Sequence, residues 1–125
     1  MILDTNALSA LVDGDEALAV RLADIQFPAI PVIVLGEYRF GIRSSRHRAA
    51  HEAWLEQNLG HFDVLPIVEK TTLAYAEIRH DMKALGRPIP ENDLWIAALA
   101  RQHRLAVLSR DRHFSLVPKL DVISW

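Results

Sequence analysis

No cysteine occurs in the 125 residues, so neither a disulfide framework nor a sulfur-ligated zinc site is open to this chain. No apolar run approaches the length of a membrane span, which excludes a spanning helix. The start has no basic leader or small-residue cleavage site, and a cytoplasmic protein is the expectation. Charge of neither sign dominates: 14 Lys and Arg stand against 16 Asp and Glu, a formal net charge of −2. Bulk electrostatics therefore do not draw the chain onto nucleic acid, and any basic footprint must be local. Repeats, linkers and low-complexity tracts are also missing, which leaves one domain over 1–125. Half of the residues are hydrophobic, and a chain of this length buries about two thirds of its unfolded surface, enough for a core without staples.

What is present alternates between strand and helix patterns. Ile2 and Leu3 suit a strand interior, and Ala7, Leu8, Leu11 and Val12 mark a helix that Thr5 and Asn6 can cap. After a turn at Asp13-Gly-Asp-Glu, the residues Leu18, Arg21, Leu22 and Ile25 have helical spacing up to Phe27-Pro28. The β-branched run Val32-Ile33-Val34 predicts a second, fully covered strand. A helix follows it, with Tyr38 and Ile42 four apart and Glu37 in its first turn. Further helices are expected over Ala49–Asn58, stopping at Gly60, and over Glu69–Leu85, where Leu73, Ala76, Ile78 or Met82, and Leu85 form the inward stripe and Gly86 the C-cap. Phe62–Val68, Leu105–Ser109 and Leu120–Trp125 read as three more short strands. Between them, Glu91-Asn-Asp-Leu-Trp opens a helix with acids in its first turn. The alternation argues for a single α/β domain whose mostly parallel sheet of four to five strands is covered by helices on both faces.

The informative regularity is the placement of acids. Asp4 follows strand one, Glu37 follows strand two, Asp93 opens a helix and Asp111 follows strand four. The carboxyl ends of parallel strands and the starts of the helices that follow share one edge of such a sheet, so the four side chains can converge. Each taken alone also fits a capping or helix-dipole role, and Asp4 is an ordinary helix cap by that reading. Two carboxylates about 4 Å apart repel by roughly 4 kcal/mol at an effective dielectric near 20, so a converged set needs protons or a bound cation. An all-oxygen set without cysteine or a zinc-spaced histidine pair favours Mg²⁺ or Mn²⁺, ions suited to phosphodiester hydrolysis.

Four stretches carry a resemblance. MILDTN at the amino terminus, GEYRFGI after the second strand, ENDLWIAALA before the fourth and LSRDRHF after it are similar, in order and spacing, to the PIN-domain endoribonucleases, in particular the VapC-type toxins of toxin-antitoxin pairs. The resemblance spans essentially the whole chain and implies a PIN-like three-layer α/β/α fold. It implies that Asp4, Glu37, Asp93 and Asp111 are the catalytic acids, with Asp4 and Asp93 the central Mg²⁺ or Mn²⁺ ligands and Glu37 and Asp111 bound directly or through water. Ser109 takes the hydroxyl position before the last acid, and Asn6 the polar position that hydrogen-bonds within the first motif; beside these roles the cap passes to Thr5 and Asn6. It further implies an RNA substrate cut to leave a 5′-phosphate and a 3′-hydroxyl, a cognate antitoxin and a homodimer. Two departures stand out: Tyr38 where leucine is usual and Gly36 where a bulkier residue is common. Both predict altered packing around an intact acid.

Arg43, Arg46, His47 and Arg48 crowd a helix entrance, where cations are mildly unfavourable, so contact with RNA or antitoxin is their expected use. Arg110, Arg112 and His113 flank Asp111 and suit phosphate orientation or a local charge network. The three tryptophans are expected to pack, and the six histidines form no recognisable metal set. Two other readings compete. One is a PIN-like RNA-binding or protein-interaction module without turnover. The other is a phosphotransfer domain with Asp4 as nucleophile, which needs a second Asp where Asn6 stands.

Overall fold

The computed structural model describes residues 1–125. Five short strands, β1 (Ile2–Leu3), β2 (Ala29–Pro31), β3 (Asp63–Leu65), β4 (Val107–Leu108) and β5 (Val122–Ile123), form one sheet in the order β3-β2-β1-β4-β5. Every pairing is parallel. The helices are α1 (Thr5–Val12), α2 (Glu16–Leu22), α3 (Val32–Ile42), α4 (Arg48–Asn58), α5 (Glu69–Ala84), α6 (Glu91–His103) and α7 (Arg112–Ser115). Side chains alternate across the central strands as the pleat requires. Ile2 and Val107 face a large core shared with α3, α5 and α6, while Leu3 and Leu108 face a smaller one closed by Ala7, Leu18 and Leu22. The result is three layers, α/β/α.

The second strand lies one step earlier than the β-branched run suggests. Ala29–Pro31 is the strand, and Val32–Val34 is the first turn of α3. The prolines decide this. The residue before a proline is held extended, which fixes Phe27 and Ile30, and Pro31 then leads into the helix at φ −59°. The helix propensity of three β-branched residues costs only a few tenths of a kcal/mol each and is overridden by burial. As a consequence Glu37 falls in the second turn of α3, where the helix dipole gives no reason for an acid.

The inward face of α5 is also rotated from the stripe read off its leucines. Thr71, Ile78 and Met82 are buried, whereas Leu73 is 72% and Leu85 52% exposed, and Ala76 lies outside as well. The register is set by Thr71, whose hydroxyl donates to Gln102 Oε1 of α6 at 2.6 Å and accepts the N–H of Val68 at 3.0 Å. Gly86 does close α5, with φ +63°. The tryptophans pack: Trp54 against Phe62, Trp95 stacked on Tyr75 at 3.9 Å, and Trp125 on the smaller core.

Tyr38 fills the core position between α3 and α4 at 4% exposure, and its hydroxyl has no hydrogen-bond partner. Burial raises its pKa. An unsatisfied buried hydroxyl costs free energy that a paired one does not. Tyr38→Phe should therefore leave stability unchanged or raise it by up to about 1 kcal/mol, while Thr71→Val, which orphans two partners, should cost about 1–3 kcal/mol. Urea denaturation of the two variants beside the parent checks both signs.

Candidate active site

β1 lies between β2 and β4, where the chain reverses the direction in which it adds strands. At such a switch point the connections leave in opposite directions and open a crevice beyond the carboxyl ends of the strands. The sequence places acids at this crevice. Asp4 leaves β1 in extended conformation and is 4% exposed. Its Oδ1 accepts the N–H of Ala7 at 2.8 Å, and its Oδ2 accepts the hydroxyl of Ser109, which directly follows β4. Asp4 is thus both the N-cap of α1 and a member of the acid cluster; Thr5 and Asn6 are the first two helical residues and do not take over the cap.

From β4 the chain continues through Asp111, whose own N–H donates to Ser109 Oγ at 2.9 Å and whose Oδ1 accepts the N–H of His113 at 2.9 Å, capping α7. Asp93 comes from the first turn of α6. Its Oδ2 lies 2.9 Å from His113 Nδ1, and that nitrogen is also 3.0 Å from Asp111 Oδ1. Glu37 reaches in from α3, with Oε1 accepting the hydroxyl of Thr5 at 2.8 Å. Thr5 thereby ties the first motif to the second, while Asn6 is exposed. Glu37, Asp93, Asp111 and His113 line one open cleft with Pro90, Glu91 and Asn92, so that every lining side chain but the proline is polar or charged. Such a lining suits an ion and a polar backbone better than an apolar ligand.

Of the three residues that flank Asp111 in the sequence, His113 alone enters the charge network expected there, whereas its contact with Asp93 has no sequence signal. The arginines fall elsewhere. None of Arg43, Arg46, Arg48, Arg110 and Arg112 lines the acid cleft. Arg48 pairs with Glu52 at 2.8 Å, Arg110 is held on the Trp125 carbonyl and ring, and Arg43, Arg46 and Arg112 are exposed.

The electrostatics follow from crowding and burial. Burial pushes the Asp4 carboxyl above its ordinary pKa, the Ser109 and Ala7 hydrogen bonds oppose this, and the charges of Asp111 and Glu37 push it further. Asp93 is raised as well, first by burial, with the His113 hydrogen bond opposing and the Asp111 and Glu37 charges adding. Asp93, Asp111 and His113 each place a potential ligand atom within 4.8 Å of the others. Asp93 Oδ1, Asp111 Oδ2 and Glu37 Oε2 make no hydrogen bond within the chain. Free carboxylate oxygens around a charge-crowded cleft fit a hard divalent cation. His113 offers the counter-charge that the protein itself can supply between Asp93 and Asp111.

Raised carboxyl pKa values set the direction of the metal-free pH dependence. The folded state holds protons on Asp4 and Asp93 that the unfolded chain has released, so stability falls as pH rises from about 4 through the raised values and stays reduced above them. In metal-free buffer, Asp4→Asn should raise stability at neutral pH, since asparagine keeps the cap to Ala7 and removes the buried charge. The gain should vanish below about pH 4, where the parent carboxyl is protonated in both states. Thermal melts across pH measure it, and a loss of stability at neutral pH would mean that capping by the charged form outweighs burial.

The family model of the PIN domain matches residues 1–120. Ribonuclease VapC4 of Mycobacterium tuberculosis is 33% identical over 97 residues, which cover 76% of this chain and 75% of that protein. Ribonuclease VapC5 of the same organism is 32% identical over 120 residues, covering 91% of this chain and 84% of its own. Among solved structures, VapBC2 from Rickettsia felis bound to a DNA fragment from their promoter superposes with a TM-score of 0.89 at 25% identity, over 99% of this chain and 97% of the other. By a family match over nearly its full length, this chain belongs to the PIN-domain family, with VapC ribonucleases among its relatives.

Proposed function

We propose that this PIN-domain chain is an endoribonuclease toxin of a toxin-antitoxin pair, hydrolysing RNA phosphodiester bonds with Mg²⁺ or Mn²⁺. The observation that supports the reading is that Glu37, Asp93 and Asp111 line one cleft while Asp4, buried beside it, feels the charges of Asp111 and Glu37, in a chain whose relatives include Ribonuclease VapC4 and Ribonuclease VapC5. When bound, the metal supplies orientation and acidification of a water and stabilises charge on the phosphodiester during in-line displacement.

The chain's own groups do the positioning. Asp4 is fixed through both oxygens, by Ala7 and by Ser109, so its carboxylate has one orientation. Asp93 presents Oδ1 while His113 restrains Oδ2, and Asp111 presents Oδ2 while its Oδ1 caps α7. Glu37 keeps Oε2 available for the ion or for a water, with Thr5 holding the other oxygen. Asp4 and Asp93 are the central ligands in this reading, with Glu37 and Asp111 contacting the ion directly or through water.

The antitoxin reading has support in a groove that borders the site. Val32, Ile33, Gly36 and Phe40 line it together with Thr5 and Glu37, and Phe40 is 81% exposed. An apolar groove touching a catalytic acid is where an inhibiting segment would cover the site, and the similar VapBC-5 from Mycobacterium tuberculosis is a member of the VapBC family of toxin-antitoxin systems. A homodimer in the cytoplasm completes the proposal; no helix is long and apolar enough to cross a membrane.

Purified protein should cleave single-stranded RNA with Mg²⁺ or Mn²⁺ and stop on chelation by EDTA. Asp4→Asn and Asp93→Asn should each lower the rate by roughly a hundredfold or more, the scale of losing one electrostatic contact to the transition state. Parent-like cleavage by Asp4→Asn would sink the assignment, and RNA binding without any cleavage by the parent would favour the module without turnover. Light scattering of the toxin alone should give twice the 14.1 kDa chain mass.

A further inference from the structure

A second cavity lies beside the acid cleft and shares Glu91 with it. Its walls carry Arg79, Lys83 and Arg87, and its floor is Met82, Ile89 and Leu94, all buried. Three cations against one carboxylate make this trough locally basic in a chain of net charge −2. We infer that the trough between the end of α5 and the start of α6 holds the backbone phosphates of the RNA strand next to the bond being cut. The inference rests on the nuclease reading above and names where its substrate runs.

The local structure prepares the trough for this use. Arg79 is already spent on Tyr75 Oη at 2.6 Å and Glu91 at 3.5 Å, which ties the wall to the start of α6. Lys83 and Arg87 make no ion pair. Their backbone is fixed all the same: Gly86 turns with φ +63°, its N–H donates to Lys83 O at 3.1 Å, and the N–H of Arg87 donates to Met82 O at 3.0 Å. Pro88 and Pro90 then stiffen the link into α6. Two unpaired cations therefore stand on rigid backbone in the trough that shares Glu91 with the acid cleft.

Electrostatics require something of this kind. A single strand entering a cleft of carboxylates is repelled at each phosphate, and a divalent ion relieves this at the reacting phosphate only. Its neighbours need cations within one or two nucleotides. The arginines that the sequence brings forward do not line the cleft, and Arg110 is occupied by Trp125. Lys83 and Arg87 line the trough next to it, and the apolar floor beneath them can shelter a base or ribose.

The test uses a fluorescein-labelled single-stranded RNA of about a dozen nucleotides, a length above one binding site. Binding is measured against salt in an Asp4→Asn background, which keeps the RNA intact, with and without Lys83→Ala/Arg87→Ala. Two lost phosphate contacts should reduce the slope of log K against log salt by about 1.4, so that between roughly 50 and 200 mM salt the background protein loses about sevenfold more affinity than the double variant. Lys83→Arg should keep the slope. In cleavage assays with Asp4 restored, the loss should fall on KM. An unchanged slope in the double variant overturns the inference, as does unchanged RNA binding accompanied by a change in oligomeric mass or antitoxin affinity, which would make the trough a protein interface. A parent that binds RNA with the expected slope yet never cleaves it would defeat the nuclease reading and leave this one standing.

Discussion

The hydroxyl of Ser109 donates to Asp4 across the ends of β4 and β1, residues 105 positions apart in the chain. Both partners are almost completely buried, and in a low-dielectric pocket an unpartnered carboxylate would be costly. The bond therefore joins sheet register to site geometry. With Ile2 beside Val107 and Leu3 beside Leu108, Asp4 and Ser109 come level at the edge of the sheet. Ser109 in turn accepts the N–H of Asp111, so the second acid is positioned by the same hydroxyl. A slip of one residue between β1 and β4 would exchange the two cores and dissolve the cluster together.

Around that link the molecule accepts a cost. Carboxylates of Glu37, Asp93 and Asp111 line one cleft with Asp4 buried beside it, and Asp4 and Asp93 have raised pKa values because burial and like charge disfavour ionisation. The chain offsets part of this with hydrogen bonds from Ala7, Ser109, Thr5 and His113. A fold that tolerates strain at one edge needs a sound core elsewhere. The close packing of α5 on α6, pinned by Thr71 to Gln102, holds Asp93 at the cleft and the basic trough beside it. Charge of opposite sign is thereby separated on two sides of Glu91, acid toward the sheet edge and base toward the α5 turn.

Much of this was readable from the residues. Ile2-Leu3-Asp4 announces a strand that ends in an acid, and the family motifs order the other three acids around it. The misplaced second strand shows where reading failed: β propensity at Val32–Val34 is a local preference of a few tenths of a kcal/mol per residue, and burial of α3 against the sheet outweighs it. The proline bracket around Ala29 and Ile30 held the correct information. Leu73 and Leu85 misled for a similar reason, because an amphipathic stripe is defined by what the neighbouring helix presents, and α6 presents Gln102 to Thr71.

The sequence by itself determined the α/β alternation and the parallel sheet, because these follow from hydrophobic period and turn residues along the chain, and it singled out four acids through the motifs that carry the family resemblance. Tertiary structure decided which atoms face one another. That Asp4 serves as cap and cluster member at once, that Thr5 holds Glu37, that His113 stands between Asp93 and Asp111, and that Lys83 and Arg87 line the neighbouring trough while Arg110 is locked on Trp125 are all through-space relations. Such relations depend on strand order and helix rotation, which no local pattern encodes, since each is fixed by packing between residues far apart in sequence.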